Sequence, residues 1–235
     1  MFSTKAGKLR KAAAAGDTAK CKQLVAAKAS VNVSGFSSGS NAFHKAICGG
    51  HLDTATFLQT AGAELEARNA GGKTALNLAA ESGNLATVDF LLALGVDTST
   101  PCKKGGRPLY YAALQGEKDI CAALLNAKAL VDAPGMLGRS PLYASIYGGS
   151  SKGGETARFL HSVGASVNAE NANGVGPLNV CLQPTDGVLV DEDIAIFLVE
   201  QGADPNRFPS ASRYSPLFVL RGVISARFPF CCSLC

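Results

Sequence analysis

The sequence predicts an all-α solenoid of stacked helix-turn-helix units joined by β-turn fingers. Gly39, Gly72, Gly105 and Gly138 stand 33 residues apart, and Gly50, Gly83, Gly116 and Gly149 keep the same interval at an offset of eleven. Two interleaved combs of one period mean that a single unit is copied along the chain, and periods of about 20 to 50 residues belong to repeat architectures. Between the combs, apolar residues recur at helical spacing. A stack of such units makes long surfaces rather than deep catalytic pockets.

Ahead of each first-comb glycine lies a short polar stretch suited to an extended finger with a turn. A Thr, Ser or Asn follows, then Pro or Ala, then Leu or Phe, as in Thr74-Ala75-Leu76, Ser140-Pro141-Leu142 and Ser215-Pro216-Leu217. A hydroxyl just before a helix accepts an orphan backbone N–H, and proline suits the first helical position because no N–H bond is lost there. The first helix then carries Leu76, Ala79 and Ala80; Leu109, Ala112 and Ala113; or Leu142, Ser145 and Ile146. The many alanines let it pack closely against its neighbours. The second-comb glycine ends it, and a second helix carries Val88, Leu91 and Leu92 or Cys121, Leu124 and Leu125. Gly62, Gly95, Gly164 and Gly202 close that helix, where a left-handed cap favours glycine, while Lys28 and Lys128 take the same position at a cost of roughly 1 kcal/mol each.

The period sets a cap repeat at 1–33, repeats at 34–66, 67–99, 100–132, 133–168 and 169–206, and a partial repeat with an irregular Cys-rich tail at 207–235. The fifth unit gains three residues around Ser150–Gly154, and the sixth is looser, with Gln183-Pro184 where helix should continue and an acidic Asp191-Glu192-Asp193 run. Insertions of this kind map to loops.

The unit resembles the ankyrin repeat, whose motif runs T-P-L-H-x-A, then G-H-L and G-A-D-V-N-A. The matching residues are Gly50-His51-Leu52, Gly62-Ala63, Gly202-Ala203-Asp204-Pro205-Asn206 and the Pro-Leu pairs above, and the resemblance covers about residues 5–220. The motif histidine stands as His44; elsewhere that position holds Asn77, Tyr110, Tyr143 and Asn179. The resemblance implies an ankyrin-repeat solenoid whose finger tips and first helices line a partner-binding face.

Composition bounds the function classes. At 47% hydrophobic residues the chain can bury a continuous core, yet no apolar run approaches the roughly 20 residues of a membrane span. The N-terminus has positive charge but no apolar segment of the secretory kind; its acid-free basic character also fits a mitochondrial targeting segment, although the same residues complete the first repeat. Residues 1–28 hold seven Lys or Arg against Asp17 alone, residues 29–206 are net acidic, and the tail after Asn206 has four arginines and no acid. A chain that is not uniformly basic argues against nucleic-acid binding. Cys21, Cys48, Cys102, Cys121 and Cys181 lie in different units without paired spacing, which reads as a reduced protein of the cytoplasm or nucleus rather than a disulfide framework.

No catalytic set, cofactor motif or metal site emerges. The 33-residue recurrence of the glycines has a structural cause, and no phosphate-binding or nucleophile-elbow string is present. His44, His51 and His161 all fit structural positions of the unit. Cys232 and Cys235 have the spacing of half a zinc site without a second pair. Cys231 and Cys232 are the candidate lipidation positions, and with the basic N-terminus they supply the alternative reading, a membrane-associated adaptor.

The constellation that remains is the finger and first-helix face that the resemblance marks out. Its candidate partner-binding residues are Lys73, Glu81, Lys103, Lys104, Leu114, Gln115, Met136, Leu137, Arg139 and Tyr147. Lysines on turns serve solvation by themselves, but Leu114, Met136, Leu137 and Tyr147 are not needed for that. Apolar anchors ringed by positive charge make an interface core and rim. The expected function is a non-enzymatic adaptor for a protein partner of acidic and apolar character. Nucleic-acid binding rests only on the aromatic pair Tyr110 and Tyr111 among the basic fingers.

Overall fold

In the computed structural model, which describes residues 4–181 and 192–205, every glycine of both combs takes left-handed backbone. The first comb has φ of 64°, 73°, 88° and 74°, the second 70°, 69°, 75° and 63°. Left-handed dihedrals explain glycine but not the strict interval, which comes from how fingers meet. The Ala70 N–H donates to the Ser38 carbonyl (3.0 Å), the Lys103 N–H to that of Gly71 (3.0 Å), and the Ala172 N–H to that of Leu137 (2.9 Å). Each bond brings the next finger's backbone onto a first-comb glycine. A Cβ at Gly39 would stand 2.3 Å from the Ala70 nitrogen, and one at Gly72 would stand 2.8 Å from that of Lys103. Any side chain there would push neighbouring fingers apart.

Twelve α-helices form among the described residues, with one 3-10 turn and no strand. They are α1 (Lys5–Ala14), α2 (Thr18–Ala26), α3 (Ala42–Cys48), α4 (Leu52–Thr60), α5 (Ala75–Ser82), α6 (Leu85–Ala93), α7 (Pro108–Gln115), α8 (Lys118–Asn126), α9 (Pro141–Tyr147), α10 (Gly153–Ser162), α11 (Pro177–Cys181) and α12 (Glu192–Glu200). The starts of α3, α5 and α9 follow the predicted capping. Asn41 and Thr74 make reciprocal boxes with His44 and Asn77, and Ser140 accepts from the Tyr143 N–H ahead of Pro141. None of these helices is long and apolar enough to cross a membrane.

The described residues group into two units, one of 4–112 with 117–130 and the other of 113–116 with 131–181 and 192–205. In the first, the odd-numbered helices stack in a row, α1 on α3 and α3 on α5, while α2 packs on α4 and α6 on α8. The core between them is Leu9, Phe43, Ile47, Leu58, Leu76, Leu91, Ile120 and Leu124, all within 1% of full burial. In the second, α9 packs against α10 and α11, and α11 against α12, around Leu142, Leu160 and Leu198. The small residues of α3, α5 and α7 (Ala46, Ala79, Ala80, Ala112 and Ala113) are fully buried, as the alanine-rich pattern predicts. The last apolar member of several helices, Leu92, Leu125 or Ile146, is only half-buried.

Outer turns are joined by polar side chains at the same period. The Asn32 amide donates to the Gly62 carbonyl (3.1 Å) and accepts from the Glu64 N–H (2.9 Å); Asn168 repeats the pattern with Gly202 (2.9 Å) and Asp204 (3.1 Å). Lys28 and Lys128 adopt φ of 62° and 70°, the strained caps expected where glycine is missing. The insertion after Gly149 ends at α10, where Gly153 starts the helix; a Cβ there would stand 2.3 Å from the Ser145 carbonyl oxygen. Gln183-Pro184, Asp191 and everything from Asn206 onward, including Ser215-Pro216-Leu217, Cys231 and Cys232, lie outside the described residues.

Candidate functional site

Lys73 follows a first-comb glycine and Glu81 lies one helix later in sequence, at the end of α5. The fold brings them onto each other: Nζ of Lys73 sits 2.6 Å from both carboxylate oxygens of Glu81. It also stands 4.6 Å from the ring centroid of Tyr111 on α7. The Tyr111 hydroxyl lies 3.2 Å from Sγ of Cys102, and the ring packs on Gly106, where a Cβ would come within 2.8 Å of it. Burial pushes the Tyr111 phenol well above its ordinary range, helped by its bond to Cys102. Burial also opposes ionisation of the Cys102 thiol, but the Tyr111 hydroxyl, the backbone of Lys104 and Gly106 and the nearby Lys73 outweigh it and hold the thiol below its usual value.

Chemically this cluster is a closed polar network, with Lys73 and Glu81 neutralising each other. Lys103 and Lys104 remain exposed on the same finger.

In the second unit, the finger before α9 contains the 3-10 turn Met136–Gly138. Leu137 within it has φ of 58° and is 61% exposed. A left-handed leucine costs about 1–2 kcal/mol, and it persists because its carbonyl is the one that accepts the Ala172 N–H. Two residues on, the guanidinium carbon of Arg139 stands 4.0 Å from the Tyr147 ring centroid and 5.4 Å from that of Tyr143. The two tyrosines, four residues apart on α9, have centroids 6.0 Å apart. Tyr143 is buried and its hydroxyl accepts from the Asn171 amide (3.3 Å), whereas Tyr147 is half exposed. Burial raises the Tyr143 phenol against the opposing pull of Arg139. The last turn of α7 lies beside the end of α9: a Cβ on Gly148 would stand 1.9 Å from the Leu114 carbonyl oxygen. This close approach leaves room for glycine only.

The sequence-predicted residues therefore separate. Lys73 is joined to Glu81, and Arg139 to Tyr147. Gln115 is exposed, while Leu114 and Met136 are half-buried, so Leu137 and Tyr147 are the apolar candidates that stand clear of the surface. Cys102, Tyr111 and Tyr143 belong to these clusters without having been picked for them; for Tyr143, the four-residue spacing to Tyr147 on one helix was the available signal. Tyr110 and Tyr111, the aromatic pair that a stacking role for nucleic acid needs, are 0% and 3% exposed. No base can reach either ring.

The histidines hold backbone. His44 Nε2 is 3.0 Å from the Ala67 carbonyl oxygen, His51 Nε2 is 3.1 Å from that of Ala14, and His161 bridges the Ala165 carbonyl (3.3 Å) and the Gln201 side chain (3.1 Å) with its ring edge-on to Phe197. Among the described cysteines all five are free; Cys21, Cys102, Cys121 and Cys181 are buried and Cys48 is exposed.

A family model for ankyrin repeats matches residues 9–102 and 61–134, in three copies. A search of curated proteins gave no match to this sequence.

Proposed function

Because the chain belongs to the ankyrin-repeat family, we propose that it works as a non-enzymatic adaptor that captures an acidic, apolar protein segment, in the cytoplasm or nucleus. Ankyrin repeats are in general protein-interaction modules and typically lack catalysis. The observation that carries the finer reading is the Leu137–Arg139–Tyr147 surface. An exposed leucine in a strained conformation lies two residues before Arg139, whose guanidinium is already seated on the ring of the half-exposed Tyr147. Backbone strain maintained by surrounding structure concentrates at functional sites. The tyrosine offers apolar area with little rotamer entropy to lose, and its partner cation is in place before binding, so ordering costs are low. A carboxylate beside an apolar side chain on the partner meets Arg139 and Tyr147 together.

Lys103 and Lys104 supply a separate positive finger, which serves encounter more than residence. Lys73 and Glu81 act as its support rather than as contacts, because each already satisfies the other. The alternative reading, membrane attachment through Cys231 and Cys232, falls on residues outside those described.

The test is capture on the immobilised full chain, with quantitative mass spectrometry, followed by binding kinetics on the captured partner. Tyr147→Ala is expected to speed dissociation, and Arg139→Glu to weaken both arms of the kinetics. Lys103→Glu with Lys104→Glu mainly slows association. If every captured protein is retained by both Tyr147→Ala and Arg139→Glu, at unchanged melting temperature, this surface is not the binding site.

A further inference from the structure

The first helix pair carries charge of one sign. Residues 1–28 hold Lys5, Lys8, Arg10, Lys11, Lys20, Lys22 and Lys28 against a single acid, Asp17, and Lys22 shares a surface hollow with Asp53 of α4. The Asp17 carboxylate is engaged as the cap of α2, accepting the Lys20 N–H at 2.8 Å. Lys8, Lys11, Lys20, Lys22 and Lys28 are exposed. Lys20 reaches the Gln23 side chain (3.3 Å) and Lys22 lies 5.9 Å from the Phe57 ring centroid, and neither contact neutralises a charge. α1 buries Leu9, Ala12 and Ala13, so its lysines stand away from the core.

Beside this helix pair stands the most exposed apolar side chain among the described residues, Phe36, at 107% of its reference area, with Val33 at 45%. Arg10 fixes the juxtaposition. Its guanidinium donates to the Val33 carbonyl at 3.0 Å, and a Cβ on Gly35 would lie 3.4 Å from its Nε. A bare phenylalanine thus projects from a finger held against the basic helix.

We propose that this surface docks reversibly on an anionic lipid bilayer, with the lysines at headgroup level and Phe36 entering the interface. A face that only keeps a protein soluble needs charges of both signs and no bare aromatic. The arginine fork is committed to a backbone carbonyl, so it forms no bidentate seat for one carboxylate or phosphate. A smeared negative surface requires no such seat and responds to summed charge, each lysine strengthening partition about fivefold. Phe36 projects rather than lining a cleft, which suits insertion into a soft interface. A nucleic-acid duplex would accept the lysines but offer the phenyl ring nothing. The surface shares no residue with the Leu137–Arg139–Tyr147 site, so either reading can fail without the other.

The chain has no tryptophan, so Phe36→Trp introduces a single indole reporter. Full-length protein made in bacteria, without lipid modification, is mixed with vesicles of phosphatidylcholine alone or of phosphatidylcholine with phosphatidylserine. The expected result is sedimentation with the phosphatidylserine vesicles only, reversed by salt, with a blue shift of the indole emission in the F36W protein. Lys8→Glu with Lys11→Glu should lower partition a hundredfold or more, taking roughly fivefold per unit of charge, and Phe36→Ala should lower it roughly tenfold. Equal sedimentation with neutral vesicles, an unshifted emission on binding, or no vesicle binding by the wild-type chain overturns the proposal. So does capture of duplex DNA at the same salt with affinity that Phe36→Ala leaves unchanged and that exceeds vesicle binding.

Discussion

Replacing Tyr110 by phenylalanine should make this protein more stable. Tyr110 is 0% exposed, and its hydroxyl meets no hydrogen-bond partner among the described residues. The same repeat position elsewhere is always satisfied. His44 reaches Asn41 and the Ala67 carbonyl, Asn77 accepts the Thr74 N–H (3.0 Å), Tyr143 accepts from Asn171, and Asn179 accepts the Gly176 N–H (2.9 Å). A buried hydroxyl without a partner destabilises the native state by about 1–3 kcal/mol. Deleting the oxygen relieves that term but leaves a void smaller than a methyl group, so the net gain should be about 1 kcal/mol. For a chain of this length that corresponds to a rise of about 2–4 °C in Tm. The phenyl ring keeps its edge-on contact with Tyr111, at a centroid distance of 5.7 Å. Urea titration followed by circular dichroism measures the effect, with Tyr143→Phe as the internal contrast, expected to lose about 1 kcal/mol because its hydroxyl is bonded. A lower urea midpoint for Tyr110→Phe than for the parent would refute the reasoning and mean that the hydroxyl is satisfied in solution.

Leu109→Ala removes a side chain that is 2% exposed beside the fully buried Ala112 and Ala113, and should cost about 2–5 kcal/mol; an unchanged urea midpoint would contradict its place in the core. Lys128→Gly relieves a left-handed cap at φ of 70° and should raise stability by roughly 0.5–1 kcal/mol, read as a higher Tm. Among the described cysteines a maleimide should label Cys48 in the native protein. Cys121, fully buried with its thiol pushed up to about 12, should react only after unfolding, which peptide mapping with and without denaturant will show.

Much of the fold was legible because it depends on neighbours in sequence. A left-handed turn at Gly72 or Gly83 is demanded by the dihedral angle of one residue. A cap such as Thr74 with Asn77 closes within three positions, and the apolar faces of α5 and α6 repeat every turn. Copying these local rules at 33 residues defines units that must stack, since no single pair of short helices buries its own apolar face. The chain's membership of the ankyrin family was therefore readable from spacing and motif residues alone.

Partners through space were not. Nothing local says that Lys73 is neutralised by Glu81 while Lys103 and Lys104 stay exposed, or that Tyr143 finds Asn171 while Tyr110 finds no partner among the described residues. Nor does the sequence distinguish Tyr111, sealed over Gly106 and Cys102, from Tyr147, left half exposed under Arg139. The left-handed Leu137 depends on a bond to Ala172, and the seat of Phe36 beside α1 depends on a bond from Arg10 to Val33. Backbone preference acts over a few residues, so a sequence determines it directly. Exposure and charge pairing are set by what another segment brings to the same point, and only the packed tertiary structure decides which segment that is.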